Sequence, residues 1–289
     1  MYFYKKAKLP KKTIELSITI PWADIEKEYD SSFEVLRKDL KAEGFRKGKV
    51  PKNIAEKKIQ KDAVYDHLLR AFVSRVYSEI LKKEDVKPII SPKVELKKAK
   101  ENEDWELVMT TAETPEITLG KYKEAIKKAA DEVKKDDIWV PGKDKEPSKE
   151  EKDKQESALF QAKLSAVLDS AKAEISDIII EEEVNKKLSK LVDDVQKIGL
   201  TMESYLSSRN TTQEKLKSQM QKEINDAYKM EFVLQKIADD ADIQVSKEDI
   251  DKLIDNLKDP KDKEAAQQNM YYYASLMRKQ KTLDYINSL

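Results

Sequence analysis

The first half of the chain opens on an alternation of apolar and polar residues. Residues 13–20 read TIELSITI, with isoleucine or leucine at every second position. This period of two is typical of a strand with one buried face. After Pro21, which suits the first turn of a helix, apolar residues recur every three or four positions from Ile25 to Leu40. The pattern predicts a strand and then a core-facing helix that ends at Gly44.

Two more helices and a hairpin complete this half. Pro51 can start one helix, and apolar residues repeat every four positions from Val64 to Ile80 along the next. Residues 93–98 and 104–111 lie on either side of a polar turn and predict two paired strands. The expected fold class is α+β, a small antiparallel sheet with a helical hairpin and helices on one face.

Every apolar pattern after Lys149 has helical spacing. A helix is expected to begin at Lys149, and the apolar stripes of five helices run over residues 159–171, 184–195, 216–238, 250–257 and 270–283. Glycine, serine and proline stand near the expected helix ends. The second half is therefore predicted to be all-α.

The composition excludes several classes of protein. The chain has 289 residues, no cysteine and one histidine, His67, so nucleophile–imidazole pairs and metal sites are hard to build. No phosphate loop or dinucleotide fingerprint is evident, and we expect no enzyme activity, no cofactor and no metal. No apolar run is long enough for a membrane span and the start lacks a signal-peptide core, which indicates a cytoplasmic protein.

The charge is balanced overall but uneven along the chain. Basic and acidic residues number 56 each, yet residues 1–112 hold 25 basic and 19 acidic ones. Within that half, residues 37–61 contain ten basic and three acidic residues. Such a positive segment favours partners that carry phosphate.

The same segment contains an unusual loop, GFRKGKVP, over residues 44–51. Two glycines and a proline predict a tight turn between two helices. A solvated turn gains nothing from Phe45, because an exposed phenylalanine is stabilised only when it enters an apolar pocket. From composition alone, Phe45 could equally pack back onto the helix ends.

This loop, entered from an amphipathic helix and followed by a second helix, resembles the ribosome-docking signature of trigger factor, a family of bacterial chaperones. The flanking segments KPIISPKVEL and WELVMTTAETPEITL agree, as do SDIIIEEEVNKKL and GLTMESYL in the second half. The resemblance implies that Phe45, Arg46 and Lys47 contact a tunnel-exit protein and ribosomal RNA of the large subunit. The docking residues expected from it are Gly44, Phe45, Arg46, Lys47, Gly48 and Lys49.

The resemblance also divides the chain. The family usually carries a prolyl isomerase domain of FK506-binding type after residues 115–119, but residues 121–156 are too few and too charged for that fold. It thus implies a ribosome-binding domain over 1–112, a connector over 113–156 and a helical substrate-binding chaperone domain over 157–289, without the isomerase.

Methionine and tyrosine mark the expected client-binding surface of the second half. Methionine adapts to many sequences, although each one is at least as easily a core residue. Three successive tyrosines on a helix cannot all be buried, so at least one ring should face an open surface. The candidates are Met202, Met220, Met230, Met270, Tyr271, Tyr272, Tyr273 and Met277.

The predicted function is an ATP-independent chaperone that docks at the ribosomal exit tunnel and shields apolar segments of nascent and unfolded polypeptides. One alternative is a holdase that works without the ribosome, and a less favoured one is a basic RNA-binding module. Neither DNA nor a membrane is an expected partner, and the sequence leaves open a weak homodimer off the ribosome.

Overall fold

A computed structural model describes residues 1–136, 149–256 and 259–289 of the chain. The chain divides into two compact units, Met1–Thr114 and Pro115–Leu289. Each unit has its own buried apolar clusters.

The first unit is a four-stranded antiparallel sheet with three helices. Its elements are β1 (Phe3–Leu9), β2 (Thr13–Ile20), α1 (Trp22–Asp39), α2 (Lys52–Lys58), α3 (Lys61–Lys83), β3 (Lys93–Lys98) and β4 (Trp105–Ala112). The strand order is β1-β2-β4-β3. The α+β fold expected from the sequence is confirmed.

The core of this unit lies between one sheet face and α3. Leu16 and Ile18 of β2 stand opposite Met109 and Leu107 of β4, and all four side chains are buried. The buried positions of α3 recur every four residues, from Val64 through Leu68, Phe72 and Val76 to Ile80. From Leu68 to Ile80 these positions share one interior with the strands, whereas Val64 packs in a second cluster with Phe33 and Ala55.

The sequence interpretation missed strand β1. This strand pairs with β2 along its whole length, although its sequence FYKKAKL resembles a cationic tail. Lys6 is satisfied by an ion pair with Glu84 at 2.5 Å, and the Tyr4 hydroxyl donates to the same carboxylate at 2.7 Å. An edge strand with one packed face tolerates such lysines.

The second unit is largely helical, as predicted. Its elements are β5 (Ile117–Thr118), α4 (Tyr122–Asp136), α5 (Lys149–Ser170), β6 (Lys172–Ala173), α6 (Asp177–Lys197), α7 (Met202–Ser208), α8 (Gln213–Asp240), α9 (Lys247–Asn256), α10 (Pro260–Gln268) and α11 (Met270–Ser288). Helix α5 begins at Lys149, where the sequence places it. The short strands β5 and β6 pair antiparallel.

Helix α8 is central to the packing of this unit. Towards its C-terminal end, Val233, Leu234 and Ile237 pack in one cluster with residues of α4, α5 and α11, including Ile126, Val167 and Ile286. Towards its N-terminal end, Met220 and Ile224 pack instead against Val184 of α6. The two halves of one long helix thus serve two separate clusters.

The local structure of this unit adds to what the sequence patterns predict. Within the expected connector, residues 113–156, helix α4 forms because Tyr122, Ile126 and Ala130 bury a narrow stripe among the surrounding lysines. The connector residues 137–148 lie outside the described part of the chain. The predicted stripe of residues 270–283 lies on α11, and a separate helix, α10, precedes it. The two are divided at Asn269, which leaves helical geometry and whose side-chain amide donates to the Ala265 carbonyl at 2.8 Å.

Helix α9 is held to α11 by a carboxylate that we expect to titrate unusually low. Asp249 accepts hydrogen bonds from Lys281 at 2.6 Å and from the Ser246 N–H at 2.9 Å, which lowers its pKa from 3.8 to about 2. These bonds should stabilise the fold fully above pH 4 and be lost as the pH falls through about 2. Carboxyl chemical shifts followed by NMR should give this value, and Lys281→Met should raise it. Titration of Asp249 near 3.8 in the unchanged chain would contradict the arrangement.

Candidate docking loop and client-binding surface

The loop between α1 and α2 is built from two tight turns with a glycine at the same position in each. The Phe45 N–H donates to the Ala42 carbonyl at 3.1 Å, and the Lys49 N–H donates to the Arg46 carbonyl at 2.9 Å. Gly44 and Gly48 are the third residues of these turns, with φ of 80° and 79°. Side chains rarely adopt this backbone region, so each turn favours glycine. Helix α1 ends at Asp39, five residues before the predicted Gly44, because these turns begin earlier.

A partly buried arginine braces the base of the loop. The Arg37 Nη1 donates to the Val50 carbonyl at 2.9 Å, and its Nη2 donates to Glu34 at 2.6 Å. Val50 itself is fully buried with Phe33 and Ala55. Val50, two residues before α2 begins, is therefore fixed to α1 by both packing and a hydrogen bond, which restricts the C-terminal end of the loop.

Phe45 lies outside this small core. Its side chain is 40% exposed, and the cluster beneath the loop is completed by residues of α1, α2 and α3 without it. Phe45 stands between the two glycine turns and belongs to no buried cluster, although more than half of its surface is covered. It is therefore a partly exposed side chain, neither fully solvated nor part of the hairpin core.

The three loop cations differ in their surroundings. Lys47 forms an ion pair with Asp39 at 2.9 Å, and this contact lowers the pKa of the Asp39 carboxyl. Arg46 and Lys49 are exposed and form no ion pair within residues 1–136 and the other described ranges. The loop tip thus presents two free cations, one paired cation and an aromatic ring.

Three of the five expected client-binding residues of α11 are exposed. Tyr271 is 90% exposed and Tyr272 is 63% exposed, beside exposed Met270. Tyr273 and Met277 are half-buried. The expectation that at least one ring of the tyrosine triplet faces an open surface is confirmed.

The other three candidates are less accessible. Met220 is only 6% exposed, because it packs against Val184 and Ile224, so it does not belong to an exposed client-binding set. Met230 is half-buried against the larger cluster of the unit, and Met202 is half-buried at the start of α7. The spacing of Met220 from its core neighbours could have revealed its burial.

A groove runs beside the exposed tyrosines, between α8 and α11. It encloses about 600 Å³, and its walls include Leu234, Ala238, Ala274 and Tyr271. Lys279 bonds to Glu231 across it, and Arg278 bonds to Asp239 at 2.7 Å. Small side chains on both helices leave this space open, and its lining offers both apolar surface and polar groups to a polypeptide.

Comparison with known proteins assigns the chain to a family. The family model for the bacterial trigger factor protein matches residues 3–139, and the model for its C-terminus matches residues 144–286.

The chain belongs to the trigger factor family. Only four residues separate the two matches, so no isomerase domain stands between the N-terminal and C-terminal regions of this trigger factor chain. The prediction of a trigger factor without that domain is confirmed.

Individual relatives match over a shorter range. The trigger factor of Streptococcus mutans serotype c is 32% identical over 108 residues, which is 37% of this chain and 25% of the relative. That of Staphylococcus carnosus is 31% identical over 108 residues, or 37% of this chain and 24% of the relative. The match thus spans about a quarter of the length of these trigger factors.

A solved trigger factor chaperone has the same fold. It aligns with a TM-score of 0.61 and 16% identity over 99% of both chains, and its study concerns promiscuous substrate recognition in folding and assembly activities. The helices in the described ranges of this trigger factor chain include none with the length and hydropathy of a membrane span. Those ranges also hold no cluster of three acidic or histidine side chains arranged to bind a metal ion.

Sequence reasoning missed the residues that support the loop and widen the client surface. Arg37 and Asp39 bind the loop, and only the spacing of Glu34 and Arg37 on one helix face gave any signal. Leu276 is 49% exposed one helical turn after Tyr272, a spacing that the sequence does show. Ile198 and Leu200 are also exposed, just before α7.

Proposed function

We propose that this chain is a nucleotide-independent chaperone that docks on the ribosome through residues 44–49 and shields apolar segments of emerging polypeptides with its helical unit. The observation that carries the proposal is the exposed ring of Phe45, held between two glycine turns on a loop whose core is complete without it. An exposed phenylalanine costs free energy in water, and burial against a partner removes that cost.

Docking would combine one apolar anchor with two kinds of polar contact. Phe45 would enter an apolar recess of a tunnel-exit protein, while Arg46 is free to bind a carboxylate or phosphate in a bidentate manner. Lys47 would exchange its Asp39 partner for the ribosome. Because the glycine turns and Arg37 already restrict the loop, little conformational entropy is lost on binding.

Client capture would rest on many weak apolar contacts. Met270, Tyr271, Tyr272 and Leu276 present an exposed surface on α11, next to the groove between α8 and α11. Tyrosine and methionine adapt to varied sequences, and several weak contacts together give reversible binding. Docking at the exit would raise the local concentration of nascent segments, so release requires no nucleotide and follows from folding of the client.

Family membership supports a chaperone role, and the solved trigger factor is described as recognising substrates promiscuously. The exposed residues of α11 also favour a second candidate, a holdase that acts without the ribosome. The two candidates differ only in the role of the loop. The holdase predicts that loop substitutions leave both the suppression of aggregation and the localisation of the protein unchanged.

The client half of the proposal predicts that Tyr271→Ser/Tyr272→Ser weakens suppression of aggregation. We expect the concentration needed to keep half of a chemically unfolded test protein soluble to rise about three- to tenfold, since each aromatic contact adds about 1 kcal/mol or less. Light scattering during dilution of the test protein from denaturant measures this directly.

The matched control for that experiment is Phe3→Ser, which removes an aromatic ring that is 62% exposed in the first unit. It should leave suppression unchanged. An equal loss of aggregation suppression in both variants would mean that any exposed aromatic ring suffices. Full suppression by the tyrosine variant would show that these residues of α11 do not bind clients.

A further inference from the structure

A second groove lies in the first unit, between α3 and the segment that leads into β3, and it is called the α3–β3 groove below. It encloses about 640 Å³. One wall is a face of α3, where residues three and four positions apart lie side by side. This wall consists of Arg70, Val73, Ser74, Tyr77 and Ser78. The space above the helix stays open because the two serine side chains are small.

The opposite wall, residues 88–94, is fixed to the sheet. The Ile89 N–H donates to the Ala112 carbonyl at 2.9 Å, and the Thr111 hydroxyl donates to the Ile90 carbonyl at 3.1 Å. Both walls are therefore held by the fold itself, so a ligand that enters the groove orders little additional chain.

An apolar strip of the sheet is left open beside the groove. Val94 and Leu96 of β3 stand opposite Met109 and Leu107 of β4, so all four side chains lie on the same face of the sheet. Met109 and Leu107 are buried, whereas Val94 is 40% exposed and Leu96 is 44% exposed. The sheet is thus wider than the helix that covers it, and the uncovered apolar surface lies along its edge strand.

The edge of β3 favours an extended polypeptide as the occupant of this strip. Strand β3 is the last in the order β1-β2-β4-β3, so among the described residues only β4 pairs with it. An open strand edge hydrogen-bonds to an added extended segment, whose alternate side chains can enter an adjoining groove. The lysines of β3 leave this edge nearly neutral, since Lys97 pairs with Glu95 at 2.6 Å and Lys98 pairs with Glu103 at 2.8 Å.

Arg70 adds a preference for negative charge at one end. Of the described residues that line the groove, Arg70 alone is charged, and it is exposed without an ion pair in the described part of the chain. A guanidinium binds a carboxylate through two parallel hydrogen bonds. From residue 70 to residue 78 the helical wall spans roughly 12 Å at 1.5 Å per residue, the length of about four extended residues.

We propose that the α3–β3 groove is a second polypeptide-binding site, which takes an extended apolar segment of about four residues with an acidic side chain at the end that meets Arg70. The site goes beyond the proposed function, which assigns client capture to the helical unit. A second copy of this chain is a poorer occupant, because the other open edge of its sheet, β1, carries Lys5, Lys6 and Lys8. Such an edge would repel Arg70.

Methyl NMR of the full-length chain tests the site directly. The chain, labelled in its isoleucine, leucine and valine methyl groups, is titrated with the peptide acetyl-Ser-Asp-Val-Thr-Val-Ser-amide and with the same peptide carrying Asn in place of Asp. The methyl signals of Val73, Ile89 and Val94 should shift, and the acidic peptide should bind about two- to fivefold tighter, as expected for an exposed ion pair.

Three variants separate the contributions to binding. Arg70→Gln should remove the preference for the acidic peptide, and Ser74→Trp, which fills the groove, should abolish binding of both peptides. The matched control is Lys82→Gln, which removes an exposed cation of the same helix outside the groove and should leave both affinities unchanged.

The outcomes are independent of ribosome docking and of α11, because the measurement uses neither ribosomes nor a variant of the helical unit. Shifts confined to the groove, with a preference that Arg70→Gln alone removes, support the site. Unshifted groove methyl groups, equal binding of the two peptides, or shifts on α11 instead would overturn it. Groove signals that move with protein concentration alone would assign the groove to self-association and would also overturn the proposal.

Discussion

Ribosome binding by the variant Phe45→Ala/Arg46→Ala/Lys47→Ala is expected to fall at least about 100-fold, because aromatic and arginine anchors at an interface each contribute about 2 kcal/mol. The variant should fold normally, since none of the three side chains belongs to the buried clusters of the first unit. Co-sedimentation with bacterial ribosomes over a range of protein concentrations gives the affinity. Circular dichroism and thermal unfolding report on the fold.

The chain provides a matched control in the same unit. Phe3→Ala/Lys5→Ala/Lys8→Ala also removes one exposed phenylalanine and two exposed cations, from strand β1. Its affinity should stay within about threefold of the unchanged chain, because the loop is intact. An equal loss of binding in this control would show that net charge and apolar surface, not the loop, attach the chain to ribosomes.

The second large effect concerns stability and belongs to the helical unit. Ile237 of α8 is fully buried in the cluster formed with α4, α5 and α11, so Ile237→Ala leaves a cavity and should cost about 2–5 kcal/mol. For a unit of this size the melting temperature should fall by about 5–15 °C. Scanning calorimetry measures the shift.

Ile198→Ala is the control for that change, because the same residue type is 68% exposed there and its loss should cost less than about 0.5 kcal/mol. Ribosome binding of Ile237→Ala below its melting temperature should equal that of the unchanged chain, since the loop lies in the other unit. Similar melting temperatures for Ile237→Ala and Ile198→Ala would contradict the position of Ile237 in the core.

Much of the fold follows from periodicity, since buried positions in β2, β4 and α3 repeat at the spacing that their geometry dictates. Strand β1 was not predicted because its three lysines interrupt any regular alternation of apolar and polar residues, and pairing with β2 and the Lys6–Glu84 ion pair stabilise it. The break at Asn269 was not predicted because it depends on a side-chain hydrogen bond that the spacing of apolar residues does not reveal.

The loop shows the same division between local and tertiary information. The tight turns could be predicted from the two glycines alone, because a positive φ is a property of the local backbone that favours glycine. The exposure of Phe45 could not, since it depends on whether Val50 and Phe33 complete the core without it. Met220 shows the converse error: residue type suggested a client contact, while its place in the stripe with Leu216 and Ile224 indicated burial.

The most direct test of docking is to replace Phe45 with the photoreactive analogue p-benzoylphenylalanine, irradiate the chain on bacterial ribosomes and identify what is crosslinked. The same analogue at exposed Phe3 is the control. We expect position 45 to crosslink to a protein or RNA at the tunnel exit of the large subunit, and position 3 to give little product. No crosslink from position 45, or the same scattered products from both positions, would contradict docking through this loop.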